Sequence, residues 1–256
     1  MSREPLSAVV TTMNNAATLE RCLCSVAWVD EIIVLDSGST DETLAIANRY
    51  GCRIFSEPFK GYGAQKQSAI DKAAHDWVLL LDADESLTLP ARTLIEQALI
   101  APTATGYRLP RRELMFWTFQ HRYSSINTHL RLFNRRYGHL NQVPIHAAPV
   151  VNGLVRNLPA ELLHYGEPDI HTKIEKINAY STGMVDYKRE RGQRFAQLRM
   201  IVYPPLFFLR QFLIKRYFLN GWAGFISSVI GAFYVFSKYA KLYESKYRET
   251  HKPDPH

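Results

Sequence analysis

The residues Trp77-Val78-Leu79-Leu80-Leu81 form an unbroken apolar run that ends abruptly in Asp82-Ala83-Asp84. An apolar run of this length, without alternation, has the pattern of a strand buried on both faces, as in a parallel sheet covered by helices. A chain holding such a strand is directed towards an α/β fold. In open α/β sheets the carboxyl edge of the strands is where ligands bind. Two carboxylates held at that edge are hard oxygen ligands, suited to Mg²⁺ or Mn²⁺ in contact with substrate phosphates. The same residues also describe a strand and a polar turn, with Asp84 or Ser86 capping the next helix.

The residues before this run alternate in character. Leu6 to Thr12 reads as a short apolar strand, and Asn14 or Asn15 is placed to cap a helix whose buried stripe is Leu19, Leu23 and Val26, with Cys22 beside it. Glu31 to Leu35 is a second strand ending at Asp36. Ser39 with Glu42 has the spacing of a capping box opening the next helix, which Gly51 closes. Cys52 to Phe55 gives a third strand, and Gly61-Tyr62-Gly63 leads into a helix through Ala73. Strands separated by helices predict βαβ units and a mostly parallel sheet. Asp36, Asp82 and Asp84 then converge on one sheet edge, without an obvious neighbouring cation in sequence. Like charges packed together are costly unless a metal or ribose hydroxyls offset them.

Several other patterns are excluded or left weak. Gly61-Tyr62-Gly63-Ala64-Gln65-Lys66 is not a dinucleotide fingerprint, because lysine stands where the third glycine would fall, and it is not a Walker loop. It leaves a flexible turn with Lys66 near a helix start, either solvated or facing a diphosphate. No His-Glu-x-x-His, Cys/His zinc spacing or Gly-x-Ser-x-Gly elbow occurs. His129, His146 and His164, each read singly, are structural histidines. Cys22, Cys24 and Cys52 form no Cys-x-x-Cys, and their odd number argues against a disulfide framework, which fits a reducing compartment. Met1 to Pro5 lacks an apolar core, so no signal peptide is expected.

The later chain is different. Tyr107 to Pro110 and His129 to Phe133 read as short strands with long connections, and residues 170 to 195 as a charged helix. The net charge of +7 is concentrated in the second half, in a pattern that attracts phosphates. From Tyr217 to Ser237 no residue is charged, while Arg210, Lys215 and Arg216 precede the stretch and Lys238 and Lys241 follow it. With Trp222 and several tyrosines beside those cations, the tail reads as one or two helices lying in or against a membrane leaflet. A true span and an ordinary buried helix are the alternatives. The expected organisation is residues 1–195 as one α/β domain and 196–256 as a helical membrane-associated region. No nucleic-acid recognition module is found.

Four segments, Val9 to Asn14, Val34 to Asp41, Gly61 to Lys66 and Leu80 to Glu85, resemble in this order the family 2 inverting glycosyltransferases of the GT-A fold. Within that family the chain is similar to the lipopolysaccharide core-biosynthesis transferases of the WaaE/KdtX type. The likeness continues through Arg131-Leu132-Phe133, Pro144-Ile145-His146, Leu162 to Tyr165, and the tail from Gly221 to Glu244. The resemblance implies a Rossmann-like, mostly parallel mixed sheet flanked by helices, with a C-terminal membrane-associating extension. It implies Thr11 and Asp36 at the base and ribose of a nucleotide, Lys66 near the donor diphosphate and Asp82 near the ribose. Asp84, with His164, would hold a divalent Mg or Mn ion.

The resemblance further implies transfer of a hexose, with glucose the expected sugar, from a UDP-sugar to an anionic lipid-linked acceptor such as the lipopolysaccharide inner core. The setting would be the cytoplasmic face of an inner membrane, with peripheral or monotopic attachment and no nucleic acid involved. Inversion requires a general base to activate the acceptor hydroxyl. Members of the subgroup read Val-His-Glu where this chain has Ile145-His146-Ala147, and alanine cannot take a proton. Glu85, His146 and Glu161 are the candidate bases. A polyprenyl-phosphate glycosyltransferase and a catalytically degenerate nucleotide-sugar-binding or membrane scaffold protein are the alternative readings.

Overall fold

The computed structural model describes residues 2–141, 147–191 and 195–250. The chain forms two compact units: Met1–Arg112 with Asn127–Gly166, and Glu113–Ile126 with Glu167–His256. The boundary expected at residue 195 falls inside the second unit.

The first unit opens with β1 (Leu6–Thr12), α1 (Ala16–Val26), β2 (Glu31–Asp36), α2 (Thr43–Arg49), β3 (Arg53–Ser56), α3 (Tyr62–Asp71) and β4 (Trp77–Asp82). These strands pair in parallel in the order β3-β2-β1-β4. The apolar run in β4 is buried on both faces, as its lack of alternation predicts. Leu79 and Leu81 join a cluster with Leu19 and Leu23 of α1 and Ile46 of α2. Val78 and Leu80 point the other way, towards Ile70 of α3.

The chain continues through β5 (Glu85–Leu87), α4 (Leu89–Ile100), β6 (Gly106–Met115), β7 (Thr118–Phe119), β8 (Asn127–Asn134), β9 (Gly138–Leu140), β10 (Pro149–Val151), β11 (Val155–Asn157) and β12 (Leu162–His164), with β9 and β10 paired apart as a two-stranded sheet. Beyond β4 the strand order is β8-β6-β12-β5, and β8 runs antiparallel to both β4 and β6. A parallel half thus joins a largely antiparallel half in one mixed sheet, the arrangement expected from the resemblance. β5 was not expected. The sequence reads there as a turn before a helix, yet Glu85 to Leu87 pairs with β12 at Leu162 to His164.

Two expected helix caps are replaced by contacts between loops. Ser39 and Glu42 form no capping box: α2 begins at Thr43 without a side-chain cap, and the Ser39 hydroxyl accepts from the Asn14 amide at 2.8 Å. Neither Asn14 nor Asn15 caps α1 with its side chain. Asp41 instead accepts from the Ala16 amide at 3.1 Å, and the Thr43 hydroxyl accepts from the Asn15 amide at 2.8 Å. The second loop thus satisfies open donors at the start of α1, and Asn14 Oδ1 in return accepts from the Thr40 amide at 2.8 Å, which fixes the β1–α1 and β2–α2 loops against each other at the carboxyl edge of the sheet.

The second unit is helical. Its main elements are α5 (Ile170–Glu190), α6 (Ala196–Leu209), a π-turn at Arg210–Ile214, a 3-10 turn at Tyr217–Asn220 and α7 (Gly221–Thr250). Asp169 caps α5 by accepting from the Thr172 amide at 2.7 Å. α6 continues through Pro204 and Pro205, whose missing N–H groups remove two helical hydrogen bonds. α7 packs on α5 through the Lys173–Ser227 contact at 3.0 Å, and on α6 through Val235, Tyr239 and Leu242 against Ala196. The segment 113–126 belongs here: the Ser125 amide donates to the Lys215 carbonyl at 2.9 Å, and the His121 amide to Asn220 Oδ1 at 2.6 Å.

Candidate active site

Chain order carries the sheet from β1 through β2 to β3 on one side, then returns to place β4 on the other side of β1. Between β1 and β4 the direction of winding reverses, and such a switch point leaves a crevice outside the strand ends. Register sets the residues that border it. Thr11 lies opposite Asp82, and Thr12 lies opposite Asp36. Thr11, Asp36 and Asp82 therefore end three adjacent strands.

The cations that neighbouring sequence does not supply are brought to the carboxylates by the fold. Asp82 is ion-paired with Lys66 of α3 and with Arg131 of β8, the latter at 2.9 Å. Burial alone would raise the Asp82 carboxyl, but the Arg131 guanidinium and the Lys66 ammonium hold it well below the usual carboxylate range. Burial would likewise lower Arg131, yet the Glu85 and Asp82 carboxylates raise it above its ordinary value. Arg131 also pairs with Glu85, which accepts in addition from Arg111 at 3.1 Å and from the Asp82 amide at 3.1 Å. Glu85 is only 1% exposed. It is enclosed by two arginines and a backbone amide, an environment that anchors the Asp82 turn rather than one that reaches an acceptor hydroxyl.

Asp84 has different surroundings. The antiparallel pairing of β5 with β12 sets His164 opposite Glu85. His164 Nε2 then stands 3.2 Å from Asp84 Oδ2, and the Tyr165 amide donates to the Asp84 carbonyl at 2.8 Å. Gly166 closes this corner. A methyl group at its Cα would fall on the His164 ring, at 2.6 Å from Nε2, and 3.2 Å from Asp84 Oδ2. Just beyond, the Arg21 guanidinium lies 4.2 Å from the centre of the Tyr165 ring.

The other expected site residues are placed as follows. Asp36 is buried and accepts from the Gly38 and Ser39 amides, each at 2.9 Å, so it holds its own turn. Thr11 is half-buried at the crevice. Glu161 pairs with Arg112 at 3.1 Å and stands just before β12. His146 lies outside the described residues. Ala147 packs beside Gly63 at the start of α3, where a methyl group on Gly63 would come within 3.0 Å of its Cβ.

Sequence reasoning missed Arg131 and Arg111 as site residues. A signal for Arg131 was present: a charge inside the apolar strand Leu130-Arg131-Leu132-Phe133 must be paired to be buried. Arg111 carries no such mark, because several arginines surround it in sequence.

Residues 7–156 match the family described as "Glycosyl transferase family 2". The chain is 34% identical to "Lipopolysaccharide core biosynthesis glycosyltransferase LpsC" of Rhizobium meliloti, over 94% of this chain and 92% of that one. It is 32% identical to an "Uncharacterized glycosyltransferase" of Rickettsia felis, over 94% of this chain and 90% of the other. Among solved structures, glucosyl-3-phosphoglycerate synthase from Mycobacterium tuberculosis in complex with Mn²⁺, UDP and glucosyl-3-phosphoglycerate is similar at 28% identity and a TM-score of 0.37, over 43% of this chain and 44% of that chain. With more than half of its length matched by the family and its near-full-length likeness to these relatives, the chain belongs to glycosyl transferase family 2.

Proposed function

We propose that the protein transfers a hexose, with glucose the expected sugar, from a UDP-sugar to an inner-core lipopolysaccharide or a related anionic lipid-linked acceptor, with inversion at the sugar carbon. The observation that carries this reading is the Asp84–His164 pair, 3.2 Å apart at the carboxyl edge of the sheet, in the same turn as the Asp82–Lys66 pair. The name of the Rhizobium meliloti relative supports the acceptor class.

The donor set fits a divalent ion. A carboxylate oxygen and an imidazole nitrogen converge beside Gly166, whose missing side chain makes room for the His164 ring, and both are ligands that Mn²⁺ and Mg²⁺ accept. Among the described residues no group of three or more His, Cys, Asp or Glu is placed to hold a metal. Donor phosphates and water would therefore supply the remaining positions, the usual mode for Mg²⁺. When bound, such an ion neutralises charge on the departing nucleoside diphosphate.

The chain's own groups do the rest. Thr11 and Asp36 border the space for the base and ribose, with Asp36 keeping the Gly38–Ser39 turn in shape beneath it. Lys66 adds positive charge for the diphosphate, and its pairing with Asp82 fixes where that charge stands. Arg131 and Glu85 orient Asp82. Of the candidate bases, Glu85 is enclosed and Glu161, just before β12, is paired with Arg112, so His146 is the base to test.

The decisive assay incubates the protein with a panel of nucleotide sugars, Mn²⁺ or Mg²⁺ and a membrane lipid extract, followed by mass spectrometry of the lipids. One lipid class should gain a hexose, and Asp84→Asn should remove the product. His146→Ala should stop transfer while nucleotide binding persists. A product on polyprenyl phosphate would redirect the acceptor assignment. If no donor is consumed or bound with either metal, the transferase reading fails.

A further inference from the structure

From Phe195 to Tyr243 the chain contains six lysines and arginines and no aspartate or glutamate. This span includes α6 and most of α7, which pack on each other as an antiparallel hairpin: Ala196 meets Tyr239 and Leu242, and Phe207 meets Gly231. The hairpin uses one side for packing and leaves another apolar side exposed. On α7 the exposed residues Trp222, Phe225, Val229, Phe233 and Phe236 recur at intervals of three and four, which is one face of a helix. They form a stripe about 20 Å long. On α6, Leu198, Val202, Leu206 and Leu209 are exposed in the same rhythm. The two stripes are joined by aromatic rings, with Phe225 lying 5.8 Å from Phe208 and 5.9 Å from Phe212. An exposed apolar surface on this scale marks an interaction site.

The charges identify the occupant. Arg210, Lys215 and Arg216 sit at the turn of the hairpin, and Arg199, Lys238 and Lys241 at its open end. At the open end Lys238 Nζ lies 5.2 Å from the centres of both Tyr234 and Tyr239, while Lys241 is held by Asn178 and Ser181 of α5. Exposed apolar stripes with cations at both ends and no acid between them match an anionic bilayer surface, where Lys and Arg meet phosphates and aromatic rings lie at headgroup depth. A second copy of the chain fits poorly, because a two-fold interface would set this all-basic patch against itself.

The mode of contact also follows. Residues Tyr217 to Arg248 are long and apolar enough to cross a membrane by length and composition. In a spanning arrangement, however, the turn with its three cations would have to enter or cross the hydrocarbon. That turn is also tied to residues 113–126 through the Ser125–Lys215 and His121–Asn220 hydrogen bonds. A hairpin lying in the plane keeps Arg210, Lys215 and Arg216 of the turn and Lys238 of the open end at headgroup level and the stripes in the acyl boundary.

We propose that the α6–α7 hairpin is a monotopic docking surface for a bilayer containing anionic phospholipid, lying in the membrane plane without spanning it. This deepens the lipid-linked acceptor reading above and rests on it for its biological setting. The test is vesicle flotation of the full chain, with phosphatidylcholine alone and with added phosphatidylglycerol. UDP binding is measured on the same preparations, so that failure of docking is distinguishable from failure of the transferase reading. The protein should float with the anionic vesicles and be weakened by salt. Phe233→Glu, a change at an exposed position, should lower binding by about tenfold or more with UDP binding unchanged, and Lys215→Ala with Arg216→Ala should remove the preference for anionic lipid. The fluorescence that distinguishes the wild type from Trp222→Phe should be quenched more by bromines near the headgroups than by bromines at mid-bilayer. Equal binding to neutral vesicles, deeper quenching at mid-bilayer, or self-association without vesicle binding would each overturn the proposal.

Discussion

Glu85 shows how far residue type alone can mislead. In sequence it is a carboxylate beside Asp82 and Asp84 and a candidate general base. In the structure it is an anchor for Arg131 and Arg111. Removing one partner of a buried ion pair leaves the others uncompensated, so Glu85→Gln should lower unfolding stability by about 3 kcal/mol in urea titration. Its neighbour Asp82 has a folded-state pKa below that of the unfolded chain, where an aspartate titrates near about 4. The stability it contributes is therefore fully present above that value and is lost as pH falls through the lower, folded value. Acid unfolding monitored by circular dichroism should shift to higher pH in Arg131→Ala. At the neighbouring corner, Gly166→Ala should lower metal-dependent UDP affinity by about tenfold or more while the fold persists, because the added methyl collides with the His164 ring and pushes it from Asp84. The cysteines offer a separate check. Burial raises Cys22 well above its ordinary range and Cys52 to about 11, whereas Cys24 is exposed. At pH 8 a thiol with a pKa near 11 is thiolate in only about one molecule in a thousand, so mass spectrometry after brief alkylation should find Cys24 labelled first. The aspartates were legible in sequence because they end an apolar strand. Arg131 was legible only in part, since its partners lie 46 and 49 residues away.

At the scale of elements, β4 was the clearest reading, because a strand buried on both faces leaves an apolar run that few other elements produce. The helix starts were less legible. The sequence offered local caps at Asn14, Asn15 and Ser39, but Asp41 and Thr43 cap α1 from the next loop. Such caps join residues more than twenty positions apart, so no local spacing rule detects them. β5 was missed for a related reason: three residues carry little periodicity, and only pairing with β12 makes them a strand. That pairing is what brings His164 to Asp84. In the second unit, Gly224 has a role that the sequence did not disclose. A methyl group there would fall on the Tyr217 carbonyl where the 3-10 turn enters α7. Although alanine is the better helix former, Gly224→Ala should destabilise the protein by about 2 kcal/mol in thermal or urea unfolding.

At the scale of the whole molecule, the sequence indicated an α/β part followed by a helical part, and each is present as a compact unit. The division was misplaced because it was drawn as one cut along the chain. Residues 113–126 join the helical unit through hydrogen bonds to Lys215 and Asn220, nearly a hundred residues later, and composition gives no sign of such a contact. The helical, acid-free character of the tail was legible in its long uncharged stretch and flanking cations. Its hairpin form was not, because the packing of α6 on α7 joins residues about forty positions apart, such as Ala196 and Tyr239. In the proposed mode of donor binding, Asp84 and His164 hold a divalent ion that the UDP diphosphate joins. Calorimetric titration of UDP into the full chain, with Mn²⁺ and then with EDTA, distinguishes this from metal-free binding. Binding in Mn²⁺ should fall by about tenfold or more in EDTA, in Asp84→Asn and in His164→Ala, with circular dichroism unchanged. Equal UDP affinity with EDTA, or in both variants, would contradict it.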